Sequence, residues 1–183
     1  MKKVLVFLAP GFEEIEALTV VDILRRAGAT VLTAGTVDGP IAGRSGIKVL
    51  SDISIDKIMN DTFDMIVLPG GGPGTENLKK DARVKKIIES HDNNKKSVIA
   101  AICAAPTVLS AIGTTKGKNV TSYPGVRGEL KGEIVSDERV VVDGLVITSQ
   151  SPGTAMEFSF KLVETLFGAQ KAKEVNDGVL ARL

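Results

Sequence analysis

The sequence predicts an α/β protein with a mostly parallel central sheet and helices on both faces. Short apolar segments typical of buried strands alternate along the chain with longer segments of helical periodicity. Three turns that follow predicted strands are unusual, because one is rich in glutamate, one is rich in glycine and one carries the single cysteine. Parallel strands bring such turns to one edge of the sheet, where ligand sites form.

The individual elements follow from local patterns. A strand is predicted over residues 3–8, and an amphipathic helix over 13–27 ends before Gly28. Residues 39–51 are expected to form a small hairpin or an excursion at the sheet edge, and the Asp143-Gly144 turn predicts two strands within 133–149. The other predicted strands are 30–34, 63–68, 98–102 and 120–122, and the other predicted helices are 55–59, 77–92, the one from 104 and 154–167. Without repeats or linkers, residues 1–183 are expected to form one domain.

Composition excludes several classes of function. The 183 residues carry a net charge of +1 with no basic cluster, and six Phe and one Tyr are the only aromatic side chains. Neither nucleic-acid binding nor membrane binding is therefore expected. The apolar run near the start is too short for a signal peptide, and one cysteine cannot form an intramolecular disulfide. These features predict a cytoplasmic protein.

Cys103 lies where a buried strand meets a helix. Residues 98–102 form an apolar run, and residues 104–109 are typical of the first helical turns, with Pro106 near the start. Unpaired backbone N–H groups and the positive end of a helix dipole both favour thiolate, so the position predicts a reactive thiol of lowered pKa. The alternative is an inert buried cysteine, which from this run alone is the commoner case.

The glycine turn at 69–74 also has two interpretations. Gly70, Gly71 and Gly72 lack both the lysine of a P-loop and the spacing of a dinucleotide motif. The segment is either a plain tight turn or a source of bare backbone N–H groups for an oxyanion.

Three glutamates open the first helix. Acidic residues stabilise the first turn of a helix, which explains Glu14. Glu13 and Glu16 are expected on the core-facing side, where a carboxyl group must be paired, protonated or functional. The spacing does not choose between these two residues.

His91, the single histidine, precedes the cysteine strand and is expected at the strand's opposite end. Six strand residues span about 20 Å, so His91 is out of reach of Cys103 as a general base. It is predicted to be a solvated residue at a helix end. One cysteine and one distant histidine do not make a zinc site, so no metal is expected, and no other cofactor.

Four segments resemble, in their order, those of the ThiJ/PfpI superfamily, and most closely its DJ-one and YajL-like branch. The segments are Ala9-Pro-Gly-Phe-Glu-Glu-Ile-Glu-Ala17, Val67-Leu-Pro-Gly-Gly71, Ala100-Ala-Ile-Cys-Ala-Ala-Pro106 and Thr148-Ser-Gln-Ser-Pro-Gly-Thr154. The resemblance covers essentially the whole chain. It implies a flavodoxin-like three-layer sandwich, a homodimer, and a cysteine on a strained strand-to-helix elbow.

The resemblance assigns the family's reactive cysteine to Cys103 and its glutamate to Glu16. It also places the backbone N–H groups of Gly71 and Ala104 beside the thiol. Two adjacent anions are unfavourable, so one group of such a pair keeps its proton while the other loses it. A protonated Glu16 would also stabilise a Cys103 sulfinate. The surrounding pocket is expected to include Gly70, Gly72, Tyr123 and Pro124.

Two departures from the family pattern restrict the chemistry. Protease-like members carry a histidine where this chain has Ala104, and many close relatives carry one where this chain has Tyr123. A tyrosine with a pKa near ~10 is a poor base at neutral pH. Peptide hydrolysis is therefore not expected, nor is glutamine amidotransfer, which needs a histidine–glutamate pair.

Three functions remain. The first is a redox-responsive protein whose Cys103 is oxidised by peroxide to sulfenate and sulfinate during oxidative stress. The second is a glyoxalase or deglycase that acts on small reactive aldehydes such as methylglyoxal, or on their protein adducts. The third is a chaperone-like binding role that does not depend on Cys103. The sequence places the redox role slightly ahead, because the missing histidine weakens turnover more than oxidation.

Overall fold

The computed structural model describes residues 1–183 and contains a seven-stranded sheet between two layers of helices. The strands are β1 (Lys3–Leu8), β2 (Thr30–Gly35), β3 (Ile41–Ala42), β4 (Lys48–Val49), β5 (Ile53–Ser54), β6 (Met65–Leu68), β7 (Val98–Ile102), β8 (Asn119–Val120), β9 (Ile134–Val135), β10 (Val140–Asp143) and β11 (Val146–Ser149). The α-helices are α1 (Glu14–Arg26), α2 (Gly72–Lys80), α3 (Ala82–Asn94), α4 (Pro106–Ile112), α5 (Ala155–Phe167) and α6 (Ala169–Val179). Short 3₁₀ turns occupy Ile55–Ile58, Pro124–Glu129 and Pro152–Thr154.

The central sheet has the order β10-β11-β7-β6-β1-β2-β5. Every neighbouring pair is parallel except β10 with β11, which form an antiparallel hairpin at one edge. The α/β architecture predicted from the alternating pattern is confirmed. The predicted hairpin within 39–51 is also present, as β3 paired with β4.

Alternating strand residues separate two apolar cores. Val4 and Val6 of β1 belong to a core of 23 buried residues beneath α1 and α5. Leu5 and Phe7 belong to a second core of 18 residues beneath α3 and α4. Because successive strand side chains point to opposite faces, a strand that is apolar throughout fixes one layer of helices on each side.

Two helical predictions differ from the structure. The single helix expected over 77–92 is two helices, because Asp81 has an extended backbone and its carboxylate accepts the N–H of Arg83, which starts α3. Helix α6 is the second difference, because no pattern in the sequence predicted it. This helix is polar along most of its length and has one fully buried residue, Val175, in contact with the core.

The prediction for His91 was wrong in one respect. The side chain is buried, its Nε2 accepts the Phe63 N–H at 3.1 Å, and its Nδ1 lies 2.8 Å from the Ile87 carbonyl oxygen. The ring also stacks on Phe63. His91 is therefore a hydrogen-bonded core residue and not a solvated one. Phe63 lies before the start of β6, so His91 lies at the sheet edge opposite Cys103.

The carboxyl ends of β1, β6 and β7 carry the three unusual turns to one edge of the sheet. The chain continues from β1 to β2 on one side, whereas β6 and β7 lie on the other side of β1. Such a reversal of strand order leaves a crevice for a site between the diverging turns. None of the helices combines the length and the apolar character that a membrane span requires.

Candidate active site

Cys103 occupies a strained elbow between β7 and α4. Its φ angle is +65°, in the left-handed region that residues with a Cβ rarely adopt. Hydrogen bonds hold this conformation on both sides, because the Cys103 N–H donates to the Ser149 carbonyl at 2.9 Å and the Cys103 carbonyl accepts the Tyr123 N–H at 2.8 Å. A strained backbone persists only where its surroundings hold it, and the residue held here, Cys103, is 8% exposed.

Glu16 lies fully buried beside the thiol. Its Oε2 accepts the Gly70 N–H at 2.7 Å. Its Oε1 is buried without a hydrogen-bond partner, and the carboxyl group interacts with the neighbouring Cys103 thiol. An unpaired buried carboxylate is costly, so this environment favours a protonated Glu16 that donates to the sulfur.

The glycine turn at 69–74 leaves room for Glu16 to approach Cys103. A Cβ on Gly70 would lie 2.7 Å from both the Cys103 Cβ and Glu16 Oε2. Gly71 has a φ of +86°, and a Cβ there would lie 2.3 Å from the Gly11 carbonyl oxygen. The three turns therefore pack backbone against backbone. Of the two interpretations of the glycine run, the geometry favours the one in which its N–H groups face the site.

Burial dominates the electrostatics of the pair. Desolvation raises the pKa of Glu16 from 4.5 to about 7, against the lowering effect of its hydrogen bonds to Cys103 and Gly70. Desolvation also raises the pKa of Cys103 to about 12, and an ionised Glu16 adds to this shift. The N–H groups of Gly71 and Ala104, which were expected beside the thiol, act in the opposite direction and lower the pKa.

The expectation of a lowered thiol pKa is therefore not met when Glu16 is ionised. The two backbone donors do not outweigh burial together with a neighbouring carboxylate. The pair instead carries one negative charge at a time, because two anions at this distance in a buried site repel strongly. A proton on Glu16 removes the repulsion and supplies a donor to the sulfur, so thiolate character at Cys103 depends on Glu16 keeping its proton.

The two remaining glutamates of the turn are also buried. Glu13 pairs with Arg44 at 3.5 Å, and Glu14 Oε1 accepts the N–H groups of Ser45 and Ile47 at 2.9 and 3.3 Å. The helix-dipole explanation of Glu14 is therefore incomplete, because its carboxylate holds the β3–β4 hairpin against α1. Gly43 was the available signal, since a Cβ there would lie 2.4 Å from the Glu14 carboxyl group.

The other residues expected in the pocket lie at its border. The backbone of Tyr123 contacts Cys103, while its side chain is half exposed. Pro124 begins an exposed 3₁₀ turn, and a Cβ on Gly72 would meet no atom within 4 Å. No three His, Cys, Asp or Glu side chains are grouped so that they could hold a metal ion. The arrangement thus offers a thiol, a carboxyl group and backbone donors.

The chain resembles known proteins along nearly its whole length. The model of the DJ-1/PfpI family matches residues 2–165. The chain belongs to the DJ-1/PfpI family. It is 43% identical to protein dj-1beta of Drosophila melanogaster over 182 residues, which cover 98% of this chain and 97% of the relative. It is 37% identical to the glutathione-independent glyoxalase DJR-1.2 of Caenorhabditis elegans over 177 residues, covering 95% and 94% of the two chains.

Solved DJ-1 structures share the fold. The crystal structure of Drosophila DJ-1beta superimposes with a TM-score of 0.95 at 41% identity, covering 98% of this chain and 97% of that one. Oxidized DJ-1 of Toxoplasma gondii also gives 0.95, at 36% identity and 98% coverage of both chains. The flavodoxin-like fold implied by the sequence resemblance is therefore confirmed.

A methyl group at Gly70 tests whether close approach of the turns creates the thiol's reactivity. Below about pH 7, where Glu16 keeps its proton, we expect Gly70→Ala to slow alkylation of Cys103 by at least about tenfold, because the added Cβ separates Cys103 from Glu16. Iodoacetamide labelling followed by intact mass spectrometry measures the rate. Gly72→Ala is the matched control, since its Cβ enters open space. Equal labelling rates in the two variants would contradict the prediction.

The raised pKa of Glu16 predicts a pH dependence of stability. The unfolded chain releases this proton near pH 4.5, whereas the folded protein holds it until about pH 7. The folded state therefore binds more protons between these values, and stability falls as pH rises through this window. Each pKa unit is worth about 1.4 kcal/mol, so the loss amounts to about 3 kcal/mol.

Glu16→Gln lacks this titration and is expected to lose less stability over the same window. Urea unfolding of both proteins at pH 4.5 and pH 7 measures the difference. Parallel pH dependences would mean that Glu16 ionises normally in the folded protein.

Proposed function

We propose that this protein is a cofactor-independent glyoxalase, in which Cys103 and Glu16 convert small dicarbonyls such as methylglyoxal into hydroxy acids. The observation that carries the proposal is a buried carboxyl group, with a pKa raised to about 7, against a thiol. A group that titrates near the working pH both accepts and donates protons efficiently. The name of the Caenorhabditis elegans relative gives independent support.

The first step is addition of the Cys103 sulfur to the aldehyde carbon. The thiol proton passes to ionised Glu16 and then to the carbonyl oxygen, which gives a hemithioacetal. The N–H groups of Gly71 and Ala104 lie beside the sulfur, where an adjacent oxyanion would accept their hydrogen bonds.

The second step is an internal redox exchange. Glu16 removes the C–H proton of the hemithioacetal carbon and delivers it to the neighbouring keto carbon, while the hydroxyl proton moves to the keto oxygen. The first carbon is thereby oxidised to a thioester and the second is reduced to an alcohol. Water then hydrolyses the thioester, which releases lactate and restores the thiol. No external oxidant, metal or cofactor enters this balance.

Oxidation of Cys103 to sulfinate is the second candidate function. Cys103 is 8% exposed, and its sulfur faces two backbone donors. Hydrogen peroxide would transfer one oxygen atom to the sulfur in each step and release water. The sequence placed this role slightly ahead. The glyoxalase is proposed first because a relative carries that name and because Glu16 lies beside Cys103 as a candidate acid and base. Deglycation of protein adducts and a Cys103-independent binding role remain lesser alternatives.

Lactate formation from methylglyoxal without glutathione tests the proposal. We expect wild-type turnover, none in Cys103→Ser, and a loss of about a hundredfold or more in Glu16→Gln, in line with the usual contribution of a general acid–base group. Tyr123→Phe is the control and should retain turnover, because the half-exposed Tyr123 contributes its backbone to the site.

Graded peroxide treatment separates the two candidate functions. Turnover no higher than in buffer, together with quantitative gain of two oxygen atoms at Cys103, would overturn the glyoxalase proposal and favour the redox role. An inert Cys103 in both assays would leave a binding role.

We also propose that the protein is a cytoplasmic, single-domain homodimer that uses the α1–hairpin patch. This patch consists of the exposed apolar side chains Ile15, Leu18, Ile47 and Leu50. Ile15 and Leu18 share one face of α1, and the hydrogen bonds of Glu14 hold the hairpin beside it. An exposed apolar patch of this kind suits a second copy of the chain.

Ile15→Glu is expected to convert the dimer into a monomer. The charge would be buried in the interface, whereas it suits the first turn of α1 in the free chain. Sedimentation velocity over a range of concentrations measures the change. Leu180→Glu, at an exposed leucine after α6, is the control and should stay dimeric. A wild-type monomer, or a dimer unaffected by Ile15→Glu, would refute the proposed surface.

A further inference from the structure

The start of α1 holds three buried carboxyl groups, of which the proposed mechanism involves one. Glu13, Glu14 and Glu16 are 7%, 5% and 0% exposed. Backbone N–H groups of the hairpin compensate Glu14, and the Gly70 N–H and the thiol accompany Glu16. Glu13 has one charged partner, the guanidinium of Arg44 at 3.5 Å. A single surface cation therefore balances a buried cluster of carboxyl groups.

The backbone around Arg44 is fixed to the active-site turns. Its N–H donates to the Phe12 carbonyl at 2.8 Å, and the Gly11 N–H donates to the Ala42 carbonyl at 2.8 Å. On the other side, the Glu13 N–H donates to the Gly70 carbonyl at 3.0 Å. The hairpin therefore fixes the backbone of Arg44 relative to Gly70, the glycine whose N–H binds Glu16.

We propose that Arg44, acting through Glu13, is a positioning residue that sets the pH range in which the Cys103–Glu16 pair becomes reactive. The inference rests on the proposed function, because it concerns the acid–base behaviour of that pair. Arg44 itself does not touch the reacting atoms, and more than half of its side chain is exposed to solvent.

The signs of the three charges support this role. The charged and titratable groups that act on Glu16 are Cys103 across the elbow, Glu13 on the preceding turn and Arg44 on the hairpin. The negative charge of Glu13 holds the proton on Glu16, whereas the positive charge of Arg44 draws it off. In the intact ion pair the two effects partly cancel. Removing either partner should therefore move the ionisation of Glu16, in opposite directions.

The experiment is the pH profile of Cys103 alkylation by iodoacetamide. In wild type, the rate should rise in a first step as the Cys103–Glu16 pair loses one proton. Arg44→Met should move this step up by about one pH unit, and Glu13→Gln should move it down by a similar amount. Arg44→Lys keeps the charge and should restore the wild-type midpoint. The double variant Glu13→Gln/Arg44→Met should return close to wild type, because both charges are gone.

A structural role for the ion pair would give a different result. It would lower the labelling rate at every pH without moving the midpoint, and the double variant would not recover. An unmoved midpoint in Glu13→Gln would overturn the inference, even if Arg44→Met fails to fold. So would a midpoint in the double variant that stays displaced as far as in Glu13→Gln. An unreactive wild-type Cys103 at every pH would instead refute the proposed function, so the two failures are distinguishable.

Discussion

The hydrogen bond from the Gly70 N–H to Glu16 Oε2, at 2.7 Å, is the contact on which the candidate site depends. It joins the turn after β6 to the first turns of α1 at a position where no side chain fits. The same glycine lies against the Cys103 Cβ and accepts the Glu13 N–H through its carbonyl. One residue without a side chain therefore brings three separate chain segments into contact, and the parallel sheet supplies the edge on which they meet.

Burial at this contact changes the chemistry of both ionisable groups. Neither the carboxyl group nor the thiol has the proton affinity that it would have in water, and each depends on the charge state of the other. Reactivity is consequently a property of the pair and not of the cysteine alone. Around the Cys103–Glu16 pair lie the backbone N–H groups of Gly71 and Ala104 and the ion pair of Glu13 with Arg44. These dipoles and charges are already in place, so they cost no reorganisation during a reaction.

Structural elements with a local sequence pattern were predicted most accurately. The apolar runs predicted β1 and β7, and the Asp143-Gly144 turn predicted the β10–β11 hairpin. The resemblance identified Cys103 and Glu16 as the residues that the structure brings together. Contacts between residues distant in the sequence could not be predicted in this way. Nothing near His91 in the sequence shows that its ring stacks on Phe63. The rise in the thiol pKa beside an ionised Glu16 could not be predicted for the same reason, because desolvation depends on how segments distant in sequence enclose the group.

The left-handed backbone at Cys103 bears on how this position responds to selection for stability. An L-residue in that conformation costs about 1–2 kcal/mol, whereas glycine adopts it freely. Stability alone would therefore favour a glycine between β7 and α4. A cysteine at this position lowers the stability of the native state relative to glycine. Substitutions at the elbow that raise stability would therefore remove the reactive thiol.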